Sequence, residues 1–241
     1  VAELFHVKIA KGTYKIWPIG KQCLSPNIIY LLVIKTIVSV KTIIVLKIRN
    51  LLLLENYLKN VKKPFCVFVT SDFPHGPYPK TSQYTNEDIF RLPYDKGNFR
   101  KFKTGYYQNI FDDNMQLERV LEMVQTNGFV ENSIFIYASD HGISGKWGVA
   151  EQGLKVPFIV RWPGHVEPNS VSHNLLSFVD VLPTFLDIID AEVPREIDGK
   201  SFQSVLKGNQ KPIHKYIFSF VSSIDKFTMC WKKQYYLYIY I

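Results

Sequence analysis

The sequence predicts an α/β fold with a mostly parallel central sheet, and three stretches carry that prediction. Pro64–Thr70 and Ser133–Ala138 are continuous apolar runs of strand length, the pattern of central strands covered on both faces. Between them, Tyr107, Ile110, Phe111, Asn114, Leu117, Leu121 and Val124 recur at helical spacing. That spacing predicts an amphipathic helix over residues 104–126. Strand, helix, short turn and strand in this order imply a βαβ unit. A small antiparallel piece is expected at the C-terminal end.

The remaining elements follow in chain order. Residues 1–26 are mixed and broken by Gly12, Pro18, Gly20 and Pro26. Residues 28–54 are very apolar but interrupted by Lys35, Lys41, Lys47 and Arg49. A bilayer span needs roughly 20 nearly uncharged residues, so no clear membrane span is expected, and both helix and strand fit the segment. Asn50–Lys62 reads as a short helix with Leu51, Leu54, Tyr57 and Leu58 on one face. Residues 71–79 form a Pro/Gly loop, and residues 80–103 a polar, basic one. Asn127-Gly128 is a helix stop.

Val156–Arg161 is a further strand, closed by Trp162-Pro163-Gly164. Asp180 is placed to cap a helix that has Pro183 in its first turn. Residues 190–214 are loop-rich, with Asp198-Gly199 as a turn. Lys215–Val221 and Gln234–Ile241 are two β-like runs, expected to pair across a polar connection.

Composition sets the class. With 241 residues, 46% hydrophobic and 21% charged, the chain can bury one sizeable core and is neither disordered nor fibrous. Its net charge of +8 suits anionic partners, or else reflects lysines of the N-terminal segment that have no role in binding. No nucleic-acid-binding signature accompanies the charge, and no P-loop or Gly-x-Ser-x-Gly is present. Cys23, Cys66 and Cys230 have no metal-ligand spacing and make no disulfide framework.

The chemistry concentrates at two strand ends. Ser133–Ala138 runs into Ser139-Asp140-His141-Gly142, with Lys146 shortly after. Asp supplies a hard oxygen ligand, and His can coordinate a metal or donate to an anionic oxygen. Ligands of open α/β sheets collect outside the carboxyl ends of strands. His75, in Pro74-His-Gly-Pro-Tyr-Pro79, follows the strand 64–70 in the same way. Two parallel strands would bring His75 and Asp140 to one edge. Taken singly, each of these motifs also fits an ordinary turn, and Lys146 a surface lysine. The Gly20-Lys21 pair is unremarkable by itself.

Together and in this order, the motifs resemble the sulfatase family of the alkaline-phosphatase-like superfamily. The resemblance covers residues 63–208. It rests on Lys63–Val69 before Pro74–Tyr78, on Tyr106–Ile110, on Asn127-Gly128 and Glu131–Ser133, and on Ser139–Gly142. Glu151–Gly164, Phe178–Thr184 and Asp198–Ser201 continue the run. Glu151–Gly164 is most similar to the heparan N-sulfatase (sulfamidase) branch. The resemblance implies an alkaline-phosphatase-like α/β sandwich and makes Asp140 and His141 calcium ligands. It makes His75 a sulfate contact or the proton donor to the leaving group, and Lys146 and Lys21 further sulfate contacts. A hydrolase of sulfate esters or sulfamates follows, acting on a sulfated small molecule or glycosaminoglycan in a lysosomal or secreted setting.

The chain also departs from the family pattern. The family's nucleophile is a formylglycine made in Cys-x-Pro-Ser-Arg, and none of the three cysteines lies in that motif. The paired N-terminal aspartates are absent, and Cys23 stands where Gly-Lys-x-His has its histidine. The expected organisation is therefore a divergent or partial N-terminal segment (1–62), the C-terminal half of a sulfatase-like core (63–208) and a truncated β subdomain (209–241). Such a chain is expected to be inactive alone. The alternatives are a non-catalytic module that binds anionic glycans and another superfamily member such as a phosphodiesterase.

Overall fold

The computed structural model describes residues 5–7, 28–34, 43–47, 51–62, 64–89, 100–142, 151–223, 226–232 and 237–238. The elements run β1 (Phe5–Val7), β2 (Ile28–Ile34), β3 (Ile43–Lys47), α1 (Leu51–Asn60), β4 (Cys66–Ser71), α2 (Arg100–Thr126) and β5 (Ser133–Ser139). After these come α3 (Glu151–Leu154), β6 (Phe158–Arg161), β7 (Val171–Ser172), α4 (Val181–Ile188), α5 (Gln203–Leu206), β8 (Ile217–Ser223), β9 (Lys226–Lys232) and β10 (Leu237–Tyr238). Among the described residues, no helix is long and apolar enough to cross a membrane.

Six strands form one sheet in the order β1-β3-β4-β2-β5-β6. Side chains of its central strands alternate between two cores, as a pleated strand requires. On β4, Cys66 and Phe68 face one core, and Val67 and Val69 the other. On β5, Ile134, Ile136 and Ala138 face the first, and Phe135 and Tyr137 the second. The first core is closed by Trp162, which follows β6, and by Ile188, Phe202 and Leu206 from the chain around α4 and α5. The second is closed by Leu54 and Leu58 of α1 and by Val120 and Val124 of α2. Helices on both faces explain why the strands are apolar throughout rather than alternating.

The sheet is less parallel than expected. Only β3 and β4 pair in parallel, whereas β2 runs antiparallel to both of its neighbours, β4 and β5. β6 is likewise antiparallel to β5. An apolar run buried on both faces reads the same in either direction, so its composition does not encode its polarity. β4 and β5 still share one direction, because each opposes β2. The segment 28–54, which fits helix or strand equally by composition, contains β2, β3 and the start of α1.

α2 ends at the expected stop. Gly128 takes φ +73°, Gly128 N–H donates to Gln125 O at 2.9 Å and Phe129 N–H to Val124 O at 3.0 Å. This is the Schellman pattern, with Phe129 returned to the core beside Val124. The buried stripe of α2 differs from the predicted one. Ile110 (37%) and Leu121 (38%) are exposed, whereas Asn109 (2%) and Asp113 (1%) are buried. The helix is rotated because these two polar side chains have partners beneath it.

Three further expectations are corrected. Asp180 makes no side-chain cap on α4. Its carboxylate instead accepts from Ser177 N (2.8 Å), Lys200 N (2.9 Å) and His214 Nε2 (2.8 Å). Asp198-Gly199 is not a turn. A Cβ at Gly199 would lie 1.9 Å from Val179 O, so glycine is needed there for close backbone approach. Finally, β8 pairs with β9, and β10, the described part of residues 234–241, pairs with β7. Phe227, Met229 and Trp231 alternate with Lys226, Thr228 and Cys230, a period-two pattern inside the stretch expected to be a polar connection.

Candidate functional site

The site is built from two loops that leave the same edge of the sheet. Ser71 ends β4 and Ser139 ends β5, and both lie opposite Ile28 of the strand between them. The two strand ends are therefore level and two inter-strand spacings apart, about 9–10 Å. Asp140 and His141 follow Ser139 directly, and His75 stands four residues beyond Ser71. The expected common edge is present, with an antiparallel strand inserted between its two contributors.

The Asp140–His141 turn is tied down locally. Ser139 Oγ donates to His141 O at 2.9 Å, and Gly142 N–H donates to Gly153 O of α3 at 2.8 Å. His141 Nδ1 lies 2.8 Å from Gly142 O. A carbonyl oxygen can only accept, so Nδ1 carries the proton and Nε2 holds the lone pair. That Nε2 is buried without a hydrogen-bond partner, 3.9 Å from Asp140 Oδ1. An orphaned imidazole nitrogen beside a carboxylate is the form that a metal takes up. Asp140 and His141 thus fit a cation as two donors. No group of three or more His, Cys, Asp or Glu suited to a metal occurs among the described residues.

His75 has the same local wiring. Its Nδ1 lies 2.5 Å from Gly76 O, so Nδ1 donates and Nε2 is left outward on an exposed ring. His75 N–H donates to Asp72 O at 3.1 Å. The loop is held from above by α2. Asn109 Nδ2 donates to His75 O at 2.9 Å and to Pro74 O at 3.4 Å. Gly105 lies so close to the loop that a Cβ there would sit 2.7 Å from Tyr78 Cβ. The Tyr78 and Tyr106 rings meet edge to face at 6.2 Å.

One turn further along α2, Asp113 Oδ2 accepts from Tyr137 Oη at 3.3 Å. Burial, and after it the Asp113 carboxylate, pushes the Tyr137 hydroxyl well above its ordinary 10.0. α2 therefore bridges both strands of this edge, through Asn109 to the loop after β4 and through Asp113 to β5. Sequence reading missed both residues. Their signal was an Asn and an Asp four apart, one turn of helix.

Lys21, Lys146 and Cys23 lie outside the described residues. Cys66 is buried in β4, where burial pushes its thiol up to about 12, so it is not a nucleophile at neutral pH.

The family model described as Sulfatase matches residues 41–191, more than half of the chain. An "Ulvan-active sulfatase" of Formosa agariphila is 44% identical over 167 residues, covering 67% of this chain and 33% of that protein. An "N-acetylglucosamine-6-sulfatase" of Bos taurus is 29% identical over 187 residues, covering 62% of this chain and 33% of that protein. A protein solved in complex with its substrate D-glucosamine-2-N,6-O-disulfate superposes with TM-score 0.52 at 23% identity, over 56% of this chain and 32% of its own. At that identity the likeness is one of fold, the alkaline-phosphatase-like α/β architecture. The matches span about a third of these relatives' lengths. The chain belongs to the sulfatase family.

Proposed function

We propose that this chain carries the metal- and sulfate-facing side of a sulfatase site, which in the whole protein hydrolyses sulfate esters on glucosamine-containing glycans. The level ends of β4 and β5 opposite Ile28 carry the reading, because they deliver His75 and the Asp140–His141 pair to one edge. The glycan class is supported by the N-acetylglucosamine-6-sulfatase and by the disulfated glucosamine bound in the solved relative. A sulfamate substrate draws its support from the resemblance of Glu151–Gly164 to the N-sulfatase branch. Residues 63–208 form the core of the site in this reading, and residues 209–241 a β subdomain. The family placement favours a hydrolase over a purely glycan-binding module, in a lysosomal or secreted setting.

Asp140 supplies the carboxylate oxygen that calcium selects. His141 Nε2 faces the same space, although imidazole is a softer donor than calcium usually takes. Asp140 therefore holds the larger share. Held by Asp140 and His141, a calcium ion would supply Lewis-acid stabilisation of negative charge on sulfate oxygens. His75, with Nδ1 tied to Gly76 O, acts from Nε2. Once protonated, it donates to a sulfate oxygen or hands its proton to the departing oxygen. By the family resemblance, Lys146 and Lys21 would add positive charge toward the sulfate.

Calorimetry with calcium chloride tests the metal assignment. Binding is expected at about 10⁻⁴–10⁻³ M, lost in Asp140→Ala and weakened in His141→Ala. Binding that survives Asp140→Ala would overturn the assignment. The nucleophile motif is absent from these 241 residues, so the chain alone is expected not to turn over 4-nitrocatechol sulfate. Metal-dependent turnover by the purified chain would contradict that expectation.

A further inference from the structure

We propose that Asn109 is a positioning residue, whose carboxamide fixes the Pro74–His75 backbone and so sets where the His75 imidazole stands at the sheet edge. The proposal rests on the sulfatase reading only for what His75 then does. The geometry behind it is independent of that reading. Asn109 is 2% exposed, and its Nδ2 reaches two successive carbonyls across 34 and 35 residues of sequence. Among the described residues, the His75 side chain bonds to its neighbour Gly76 O and His75 N–H to Asp72 O, both contacts within the loop. Asn109 thus supplies the tie from the loop's His75 carbonyl to a rigid element. α2 is in turn fixed to the sheet by Val120 and Val124 in the core.

The choice of residue type follows from the partners. Both acceptors are carbonyls, so the side chain must donate twice, and an amide NH₂ does so where Asp or Ser cannot. Its neighbour Asp113, one turn on, faces a hydroxyl donor and is an acceptor instead. The two side chains are not interchangeable. A buried amide of this kind costs free energy unless satisfied, and the two loop carbonyls satisfy it.

The test follows the His75 ring by ¹H–¹³C NMR in the full 241-residue chain, with the signal assigned by its loss in His75→Ala. In the wild type one sharp ring signal is expected, shifting saturably as sodium sulfate is added in the presence of calcium. Asn109→Asp is nearly isosteric but cannot donate. Asn109→Asp and Asn109→Ala are expected to shift or broaden the free His75 signal and to weaken sulfate binding about tenfold. Val120→Ala, buried in the same helix away from the loop, is the control. It is expected to lower thermal stability while leaving the His75 signal and the sulfate affinity unchanged. An unchanged His75 signal in both Asn109 variants would overturn the proposal, as would an equal change in Val120→Ala. If wild-type His75 ignores sulfate while the Asn109 variants still move its ring signal, the positioning stands and the sulfate reading falls.

Discussion

Replacing Asp180 by Ala should be among the most damaging single changes outside the candidate site. The carboxylate is fully buried. It accepts from two backbone amides, Ser177 N and Lys200 N, and from His214 Nε2, all within 2.9 Å. Each hydrogen bond to a charged acceptor contributes about 1.5–3 kcal/mol. The three do not simply add, because Lys200 is exposed and Ser177 half-buried, so water can reclaim part of the loss. Removing one member of a buried pair costs about 3–5 kcal/mol, and that is the expected penalty. At about 2–4 °C per kcal/mol for a domain of this size, the melting temperature should fall by roughly 6–20 °C. Urea titration followed by circular dichroism gives the free energy directly. Asp180→Asn should lose less, since one amide oxygen can still accept. In the double variant with His214→Ala, the two costs should fall well short of additive. A loss below about 1 kcal/mol for Asp180→Ala would refute the hub assignment.

Gly105→Ala sets helix propensity against packing. Alanine gains about 1 kcal/mol within a helix, but its Cβ would meet Tyr78 Cβ at 2.7 Å and Pro79 O at 3.1 Å. Overpacking costs about 1–3 kcal/mol, and neither neighbour is a flexible side-chain end, so a net loss of up to about 2 kcal/mol is expected in chemical denaturation. A net stabilisation would show that the loop can retreat from α2. High pH should also destabilise the fold. Burial raises Cys66 from 9.0 and Tyr57 from 10.0, each to about 12, and raises Tyr137 further. A group raised in the folded state adds stability below its unfolded value and loses it as pH climbs toward its folded one. The urea midpoint should therefore hold up to pH about 9 and fall toward about 12. Below that window, Cys66 should resist iodoacetamide at about pH 8 in the native chain and react only once unfolded.

The sequence made the strands and their chemistry visible, because both are local. Pro64–Thr70 and Ser133–Ala138 are apolar on both faces and end where Ser71 and Ser139 meet Ile28. Asp140-His141 and His75 follow those ends at once, so the edge could be read without the fold. Strand direction could not be read in this way. Ile28–Ile34 pairs antiparallel to two strands, and nothing in seven successive apolar residues distinguishes the two orientations. The rotation of α2 was hidden for a related reason. Hydrophobic periodicity put Ile110 and Leu121 inside, yet the buried positions are Asn109 and Asp113, whose partners lie 34 and 24 residues away in sequence. Polar burial depends on a partner, and the partner is set by tertiary structure. Asp180 was misread in the same way, as a helix cap, because its acceptors' partners Lys200 and His214 come from distant loops.

These misreadings share a physical cause that bears on the site itself. Each residue the sequence left obscure is a buried polar group joining one element to another. Asn109 joins α2 to the His75 loop, Asp113 joins α2 to β5, and Asp180 joins the start of α4 to the loops at Lys200 and His214. Of the residues that sequence reading found, His75 and Asp140 stand exposed at the edge, where solvent leaves their choice to chemistry. A site of this kind needs both sets. His75 and Asp140 are exposed, and exposed side chains on loops would sample many arrangements if nothing beneath them were fixed. The bond from Asn109 to His75 O and the bond from Gly142 N–H to Gly153 O restrict the two loops separately. α2 then couples them, because the same helix face that holds the His75 loop also meets Tyr137 of the strand that leads to Asp140. A shift of α2 along its axis would therefore displace one loop relative to the other, and the geometry of the shared edge depends on the seating of that one helix.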